Sequence, residues 1–288
     1  MQRALGFSLP AAACLLLATA APRPAAAQPA PPAAAALAAT PAPALTGKAI
    51  MEKVDQKNRS ADEVIESKMR LTEGTTIKER SLKMTVKTAA GYQDKTLIRF
   101  SEPGDLRGTG FLIFQHGAEE DELWMYLPAV KKTKRLAATE RKDAFVGSDF
   151  ANEDLRNENL LAYDYTLLRQ EKCPGSELQC WIVEAKPATA AEKKGTGYCS
   201  RQIWVSPDFL VRQVDYYTKE SGDKPTKTLS FLDFTSDPAW KGFERPARSL
   251  MVNHKKGTQT EFVFDNTKRV VNGGVDEAGL SQRALEKP

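Results

Sequence analysis

From residue 62 onward the chain is divided into short runs of strand-forming residues, and Gly or Pro punctuates many of the intervals. This segmentation constrains the fold more than any other feature. Residues 77–87 are the clearest run: Leu82, Met84 and Val86 alternate with Lys83, Thr85 and Lys87, the period of a strand with one wet face. A strand over 64–72 precedes it, and one over 92–100 follows and ends at Glu102-Pro103-Gly104. Strands are expected at 110–115, 123–127 and 131–136, again between 163 and 234, and in a last hairpin of 250–254 and 258–264 around Lys256-Gly257. Roughly eleven strands result, mostly in sequential hairpins, a pattern typical of sandwiches and barrels. Helix is expected over 46–58, where Thr46 caps and Ala49, Ile50 and Val54 form an apolar stripe. Residues 149–161 read as helical or irregular, with Asp149 or Asn152 as caps, and 279–285 as a short helical end.

The first part of the chain reads differently. Residues 1–27 have Arg3, an apolar run from Ala11 to Ala21 and Ala25-Ala26-Ala27, the anatomy of a cleavable secretory signal peptide. Cys14 suggests a lipoprotein, but Ala11 stands three residues before it and Leu15-Leu16-Leu17 continue the apolar run past it. Residues 28–45 are nearly all Ala and Pro, the composition of a semi-extended linker. Residues 46–288 then form the folded domain. Without Arg3 and Arg23, the 41 basic residues fall to 39 against 37 acidic, which makes no bulk case for nucleic acid.

The mature chain keeps Cys173, Cys180 and Cys199. In an oxidising compartment one pair bridges and one thiol remains. Cys173 and Cys180 flank a Pro-Gly turn and are the expected bridge; Cys180 with Cys199, on successive strands, is the alternative. A zinc site lacks support, since no paired CxxC or nearby His supplies four ligands.

Residues 121–155 carry the most distinctive pattern. Leu123, Met125 and Leu127 point one way along a strand and Trp124 and Tyr126 the other, and Pro128 ends the ladder. A basic run, Lys131, Lys132, Lys134 and Arg135, comes next, then Phe145-Val146-Gly147-Ser148-Asp149-Phe150. Trp124, Tyr126, Pro128, Arg135, Phe145, Gly147, Ser148, Asp149, Phe150 and Asp154 match "W-x-Y-x-P-x-x-x-x-x-R-R" followed by "F-x-G-S-D-F-x-x-x-D", with Lys134 at one Arg position. Phe100 to Thr109 matches "F-x-x-P-x-D-x-x-G-T". The chain from about residue 46 onward thus resembles the outer-membrane lipoprotein-sorting branch of the LolA-like superfamily. The resemblance implies a mainly β (α+β) chain: a curved antiparallel sheet forming an incomplete barrel, with an N-terminal helix and a central helical lid on its open side. It also implies a periplasmic carrier that binds a lipid, or the acyl chains of a lipoprotein, and an inner-membrane RND-type transporter as donor.

No catalytic constellation competes with that expectation. Ser148 lies in a Gly-Ser-Asp turn, but the G-x-S-x-G elbow is absent and nothing places His116 or His254 near it. The turn reads instead as Gly147 permitting a tight bend while Ser148 or Asp149 bonds to backbone N–H groups. No GxxxxGK[ST], GxGxxG or calcium loop occurs, so no cofactor or metal is expected. Arg135 and Arg141 are expected to pair with acids of 149–154. Lys131, Lys132, Lys134 and Arg135 form either a solvated strand edge or a docking patch for anionic headgroups or an acidic surface. Several strands are apolar on both faces, which suits a lipid cavity as well as a filled core. Leu112, Phe114, Trp124, Tyr126, Phe145, Phe150, Trp204 and Phe262 are the candidate cavity residues. The expected protein is a monomer with only peripheral membrane contact.

Overall fold

Thr46 starts the first helix by accepting a hydrogen bond from Ala49 N at 3.2 Å, which satisfies one of the donors a helix leaves free. The computed structural model describes residues 45–287. The expected signal peptide at 1–27, with Cys14, and the Ala/Pro-rich stretch up to residue 44 lie outside the described residues. Helix α1, Gly47–Asn58, buries Ile50, Met51 and Val54. Gly47 is required where it stands, because a Cβ there would lie 2.6 Å from Leu167 N and Thr166 C. The helix start therefore rests directly on the backbone of Thr166 and Leu167. Its other end is tied by Asn58 Nδ2, which donates to the carbonyl of Phe209 at 2.9 Å.

The strands are β1 Asp62–Glu73, β2 Thr76–Lys87, β3 Lys95–Glu102, β4 Gly110–Phe114, β5 Glu122–Leu127, β6 Lys132–Leu136, β7 Tyr163–Lys172, β8 Gln179–Pro187, β9 Ser200–Val205, β10 Val211–Tyr217, β11 Lys227–Ser236, β12 Glu244–Asn253, β13 Thr258–Phe264 and β14 Val270–Val271. All pairings are antiparallel. The order is β6-β5-β4-β3-β2-β1-β13-β12-β11-β10-β9-β8-β7, with β14 on β1. Two meanders are thus joined where β1 meets β13, with Met69 opposite Phe262. The free edges are β6 and β7, which do not pair, so the barrel stays open.

This is the expected incomplete antiparallel barrel, with fourteen strands among the described residues rather than roughly eleven. β12 begins at Glu244, six residues before the expected start at 250, because Pro246 sits inside it opposite Phe234. A proline lacks a donor but still occupies a register position. β14 is too short to leave a pattern. Helix α2, Ala190–Gly195, was not anticipated; helix α3, Gln282–Leu285, falls in the expected helical end. No helix of the described residues is long and apolar enough to cross a membrane.

Because β6 and β7 are consecutive in sequence but at opposite edges of the sheet, residues 137–162 must travel between them. They do so across the face that α1 also covers. The segment is not an extended helix. Its helical content is three single 3₁₀ turns, Ala138–Glu140, Phe145–Gly147 and Asn152–Leu155. Neither Asp149 nor Asn152 caps the last; Asp154 instead accepts from Ala151 N at 2.7 Å.

Candidate functional site

The crossing segment has two ends of opposite character. At the first, Phe145 is fully buried and lies 5.6 Å from Phe100 and 4.8 Å from Phe111, centroid to centroid. Phe150 meets Phe262 edge-on at 4.9 Å. Gly147, with φ +72°, makes the bend between them. The Asp149 carboxylate accepts from the hydroxyls of Thr258 at 2.5 Å and Thr260 at 2.8 Å, so it bonds to β13 side chains and not to backbone N–H groups as expected. The Ser148 hydroxyl donates to the Phe150 carbonyl. His254 Nε2 lies 2.9 Å from the Thr228 hydroxyl and His116 Nε2 lies 3.5 Å from Glu122.

The second end is charged. Arg156 reaches Asp121 at 2.5 Å and Glu192 at 2.9 Å. Arg141 joins Glu192 from the other side at 2.6 Å, and the Tyr163 hydroxyl also donates to Glu192. Gly195 leaves room for this guanidinium, since a Cβ there would fall 2.7 Å from Arg141 Nη1. Arg201 grips both oxygens of Glu158 at 3.0 and 2.8 Å. Asp154 accepts from the Tyr198 hydroxyl at 3.0 Å. The expected pairing of Arg135 and Arg141 with acids of 149–154 is not what forms: Arg135 binds Glu122 at 2.8 Å and Arg141 binds Glu192.

Burial acts against ionisation of Glu192, Asp154 and Glu158, and the partners decide the sign. Burial pushes Glu192 up, but Arg156 and Arg141 more than offset it and bring the carboxyl down to about 2. Burial also raises Asp154, Lys227 opposes it only partly, and the carboxyl ends at about 6. Glu158 is lowered by Arg201 against the same burial. Burial raises the Tyr163 and Tyr198 hydroxyls, which remain neutral donors.

This charged end borders two voids. One, of about 210 Å³, has Val54, Ile203, Val214, Leu229 and Phe231 on its apolar side and Asp154, Arg156, Glu158 and Arg201 on its polar side. The other, of about 320 Å³, lies toward β1 and β2 and is lined by Ile65, Met84, Val86, Leu210 and Phe234, among others. Met51, Val54, Val211 and Phe231 are walls of both, as are Asn157 and Glu158 of the crossing segment. The pair therefore makes one apolar recess under α1, divided by a ridge of side chains and rimmed by charge.

None of the eight candidate cavity residues lines these voids. Phe145, Phe150 and Phe262 do lie on the covered face, but they pack against one another in the main core. Leu112, Phe114, Trp124 and Tyr126 face the other way: Phe111 and Met125 join the main core, while Leu112 and Trp124 pack with Leu285 of α3. The alternation within β5 was read correctly, but its aromatic side is the outer face. Trp204 is also on the outer side, beside Ile182 and the Cys173–Cys180 disulfide. That bridge is the expected one, and Cys199 is free and exposed. The four basic candidates lie at or beside the edge strand β6, where Lys134 binds Glu140 at 2.6 Å and Arg135 binds Glu122. The residues that the sequence reading missed, Met51, Val211 and Phe231, carry ordinary core signals. Only the apolar stripe of α1 pointed toward the recess.

A family model described as that of an uncharacterized protein matches residues 92–287, more than half of the chain. A domain from Vibrio parahaemolyticus assigned to outer membrane lipoprotein sorting superposes with a TM-score of 0.76 at 25% identity, covering 84% of this chain and 98% of that one. A DUF1329 family protein from Desulfovibrio piger gives 0.74 at 27% identity, over 83% and 97% of the two chains. A LolA superfamily protein from Nitrosomonas europaea shares the fold, with a TM-score of 0.64 at 19% identity over 84% and 100%. No curated protein matches. The chain belongs to the matched family and shares its fold with the lipoprotein-sorting domain and the LolA superfamily protein.

Proposed function

We propose that the protein is a periplasmic carrier that holds a lipid, or the acyl part of a lipidated molecule, in the recess under α1. The observation that supports this best is the pair of adjoining apolar voids under α1, sharing Met51, Val54, Val211 and Phe231 as walls. Close packing is the rule in protein interiors, and the larger void is at the lower limit of the roughly 300–1,000 Å³ that small-molecule sites occupy. Each methylene buried there favours binding by about 0.8 kcal/mol, so no covalent chemistry is needed to retain the cargo.

Loading requires the cover to lift. The charged end of the crossing segment is the end that opens, because water solvates exposed Arg156, Glu158 and Arg201 and offsets lost ion pairs. Lifting the Phe145–Phe150 end would expose the interlocked rings of Phe145, Phe150 and Phe262 to water and also break the Asp149 bonds to Thr258 and Thr260. An inner-membrane transporter of the RND type is the proposed donor, shifting the closed and open populations by binding one of them. The outer membrane is the proposed destination.

Native mass spectrometry of protein purified without detergent, followed by lipid extraction, tests this reading. A bound lipid at near-unit stoichiometry is expected in the wild type, and loss of it in Val211→Trp, which fills the shared wall. A homogeneous lipid-free mass that also fails to take up added fatty acid or phospholipid contradicts it.

A further inference from the structure

The hairpin joining β5 and β6 shows a different chemistry from the rest of the surface. Its tip reads Leu127-Pro128-Ala129-Val130-Lys131-Lys132. Leu127 is 37% exposed and Val130 57%, and they are the two exposed large apolar side chains that adjoin an unpaired lysine pair; Ile77, Leu161, Leu168, Leu178 and Val270 are exposed elsewhere. Lys131 and Lys132 are exposed and form no ion pair among the described residues, whereas Lys134 and Arg135 are engaged by Glu140 and Glu122. No acidic residue occurs between Glu122 and Glu140. The turn is well held: Val130 N donates to the Leu127 carbonyl at 3.3 Å and Lys131 N to the Pro128 carbonyl at 3.2 Å.

The tip is not isolated. In a meander, alternate turns fall at the same end of the sheet. The β1–β2 turn and the β3–β4 loop therefore share an end with this hairpin. They add Ile77, which is 62% exposed, with Lys78 and Arg107. Glu73, Glu79, Glu102 and Asp105 are the acids of these two turns; Glu79 is paired with Arg70 at 2.7 Å. Of these three turns the β5–β6 tip is the one without acids of its own, although Glu286 accepts from the Thr133 hydroxyl at 2.7 Å beside it. The β12–β13 turn, at the same end because Thr258 pairs with Glu73, adds the exposed Lys255 and Lys256 but no apolar side chain.

We propose that this hairpin tip is the membrane-touching element of the protein, with Leu127 and Val130 entering the headgroup boundary of an anionic bilayer while Lys131 and Lys132 reach its phosphates. Apolar residues next to lysines suit an interface with an apolar and a charged layer, and long lysine stems span the two. An acidic protein partner would match the charge but not the exposed Leu127 and Val130, and the tip is small beside the roughly 800 Å² that each partner buries in a stable protein complex. Each lysine near an anionic surface adds about 1 kcal/mol, or about fivefold in affinity. The attraction is weak enough to be reversible, as peripheral contact requires. It also falls as salt rises.

Co-sedimentation with vesicles tests this. The wild type should sediment with phosphatidylcholine vesicles containing phosphatidylglycerol and remain in solution with phosphatidylcholine alone. Lys131→Glu with Lys132→Glu should weaken that binding about tenfold or more, and Val130→Ser should weaken it several-fold. Lys241→Glu, in the exposed β11–β12 turn at the opposite end of the sheet, should leave it unchanged while altering charge by the same amount per residue. All variants should melt as the wild type does, since the altered side chains are exposed. Equal binding by tip variants and wild type overturns the proposal, as does equal binding to neutral and anionic vesicles. Capture by immobilised polyglutamate without any vesicle binding overturns it in favour of an acidic protein surface. None of these outcomes depends on whether the recess holds cargo.

Discussion

The two ends of the crossing segment span the same sheet but are held by different physics. At the Phe145–Phe150 end, aromatic rings interlock with Phe100, Phe111 and Phe262 and exclude water. At the Glu153–Glu158 end, Arg156 pairs with Glu192 and Arg201 with Glu158, and the voids begin beside them. A gap of about 0.5–1 Å already forfeits a quarter to a half of the energy of a packing contact. Ion pairs re-form with water when separated. In the proposed carrier, a cover fixed at one end by rings and at the other by charges acts as a hinge with a latch.

The comparison is broken most severely by Phe145→Ala. It should cost about 3–5 kcal/mol in denaturant unfolding, as expected for a large core truncation; a loss below about 1 kcal/mol would mean that the ring end is not the anchor. Glu192→Gln should cost about 3 kcal/mol, because Arg141 and part of Arg156 are left buried without their counter-charge. It should also release cargo faster, whereas Phe145→Ala should chiefly lower stability. Thr260→Val removes one of the hydroxyls on Asp149 and should cost about 1–2 kcal/mol, measured in the same unfolding series.

The smallest effect separates two acids of the latch by their pH dependence. Glu192 has a lowered folded pKa of about 2 against an ordinary 4.5. Its contribution is present above the ordinary value and is lost as pH falls from about 4.5 toward 2. Asp154 is the reverse case, with a folded pKa of about 6 against 3.8. Its protonated form favours folding below the ordinary value, and that advantage disappears as pH rises through about 6. Stability measured against pH should show Asp154→Asn flattening the slope between about pH 4 and 6, and Glu192→Gln flattening it below about pH 4.5. A slope in both windows unchanged by either variant contradicts these assignments.

Local order was readable from the chain and global placement was not. The alternation of Leu82, Met84 and Val86 gave β2 directly, and Thr46 with Ile50 and Val54 gave α1. The W-x-Y-x-P run was assigned to the right strand with the right alternation. Which face became the inner one, however, depended on α3 reaching Trp124 and Leu112 from the far end of the chain. Aromatic residues were expected around the cavity, but large rings fill space well and so went to the packed regions. A void is left where side chains fail to meet. Val211, Met51 and Phe231 meet only after helix and two distant strands are in place, and no local pattern encodes that. The ion pairs of the latch join residues far apart in sequence, such as Arg141 with Glu192 and Arg201 with Glu158. Reading Arg141 against the nearest acids therefore chose the wrong partner.

Hydrogen exchange with and without a monoacyl fatty acid tests the central claim most directly. The account predicts that α1 and residues 153–159 exchange faster than residues 145–150 in the empty protein, and that added fatty acid slows the first group selectively. Exchange that begins at 145–150, or a fatty acid that protects neither α1 nor 153–159, would contradict a recess under α1 closed by a charged latch.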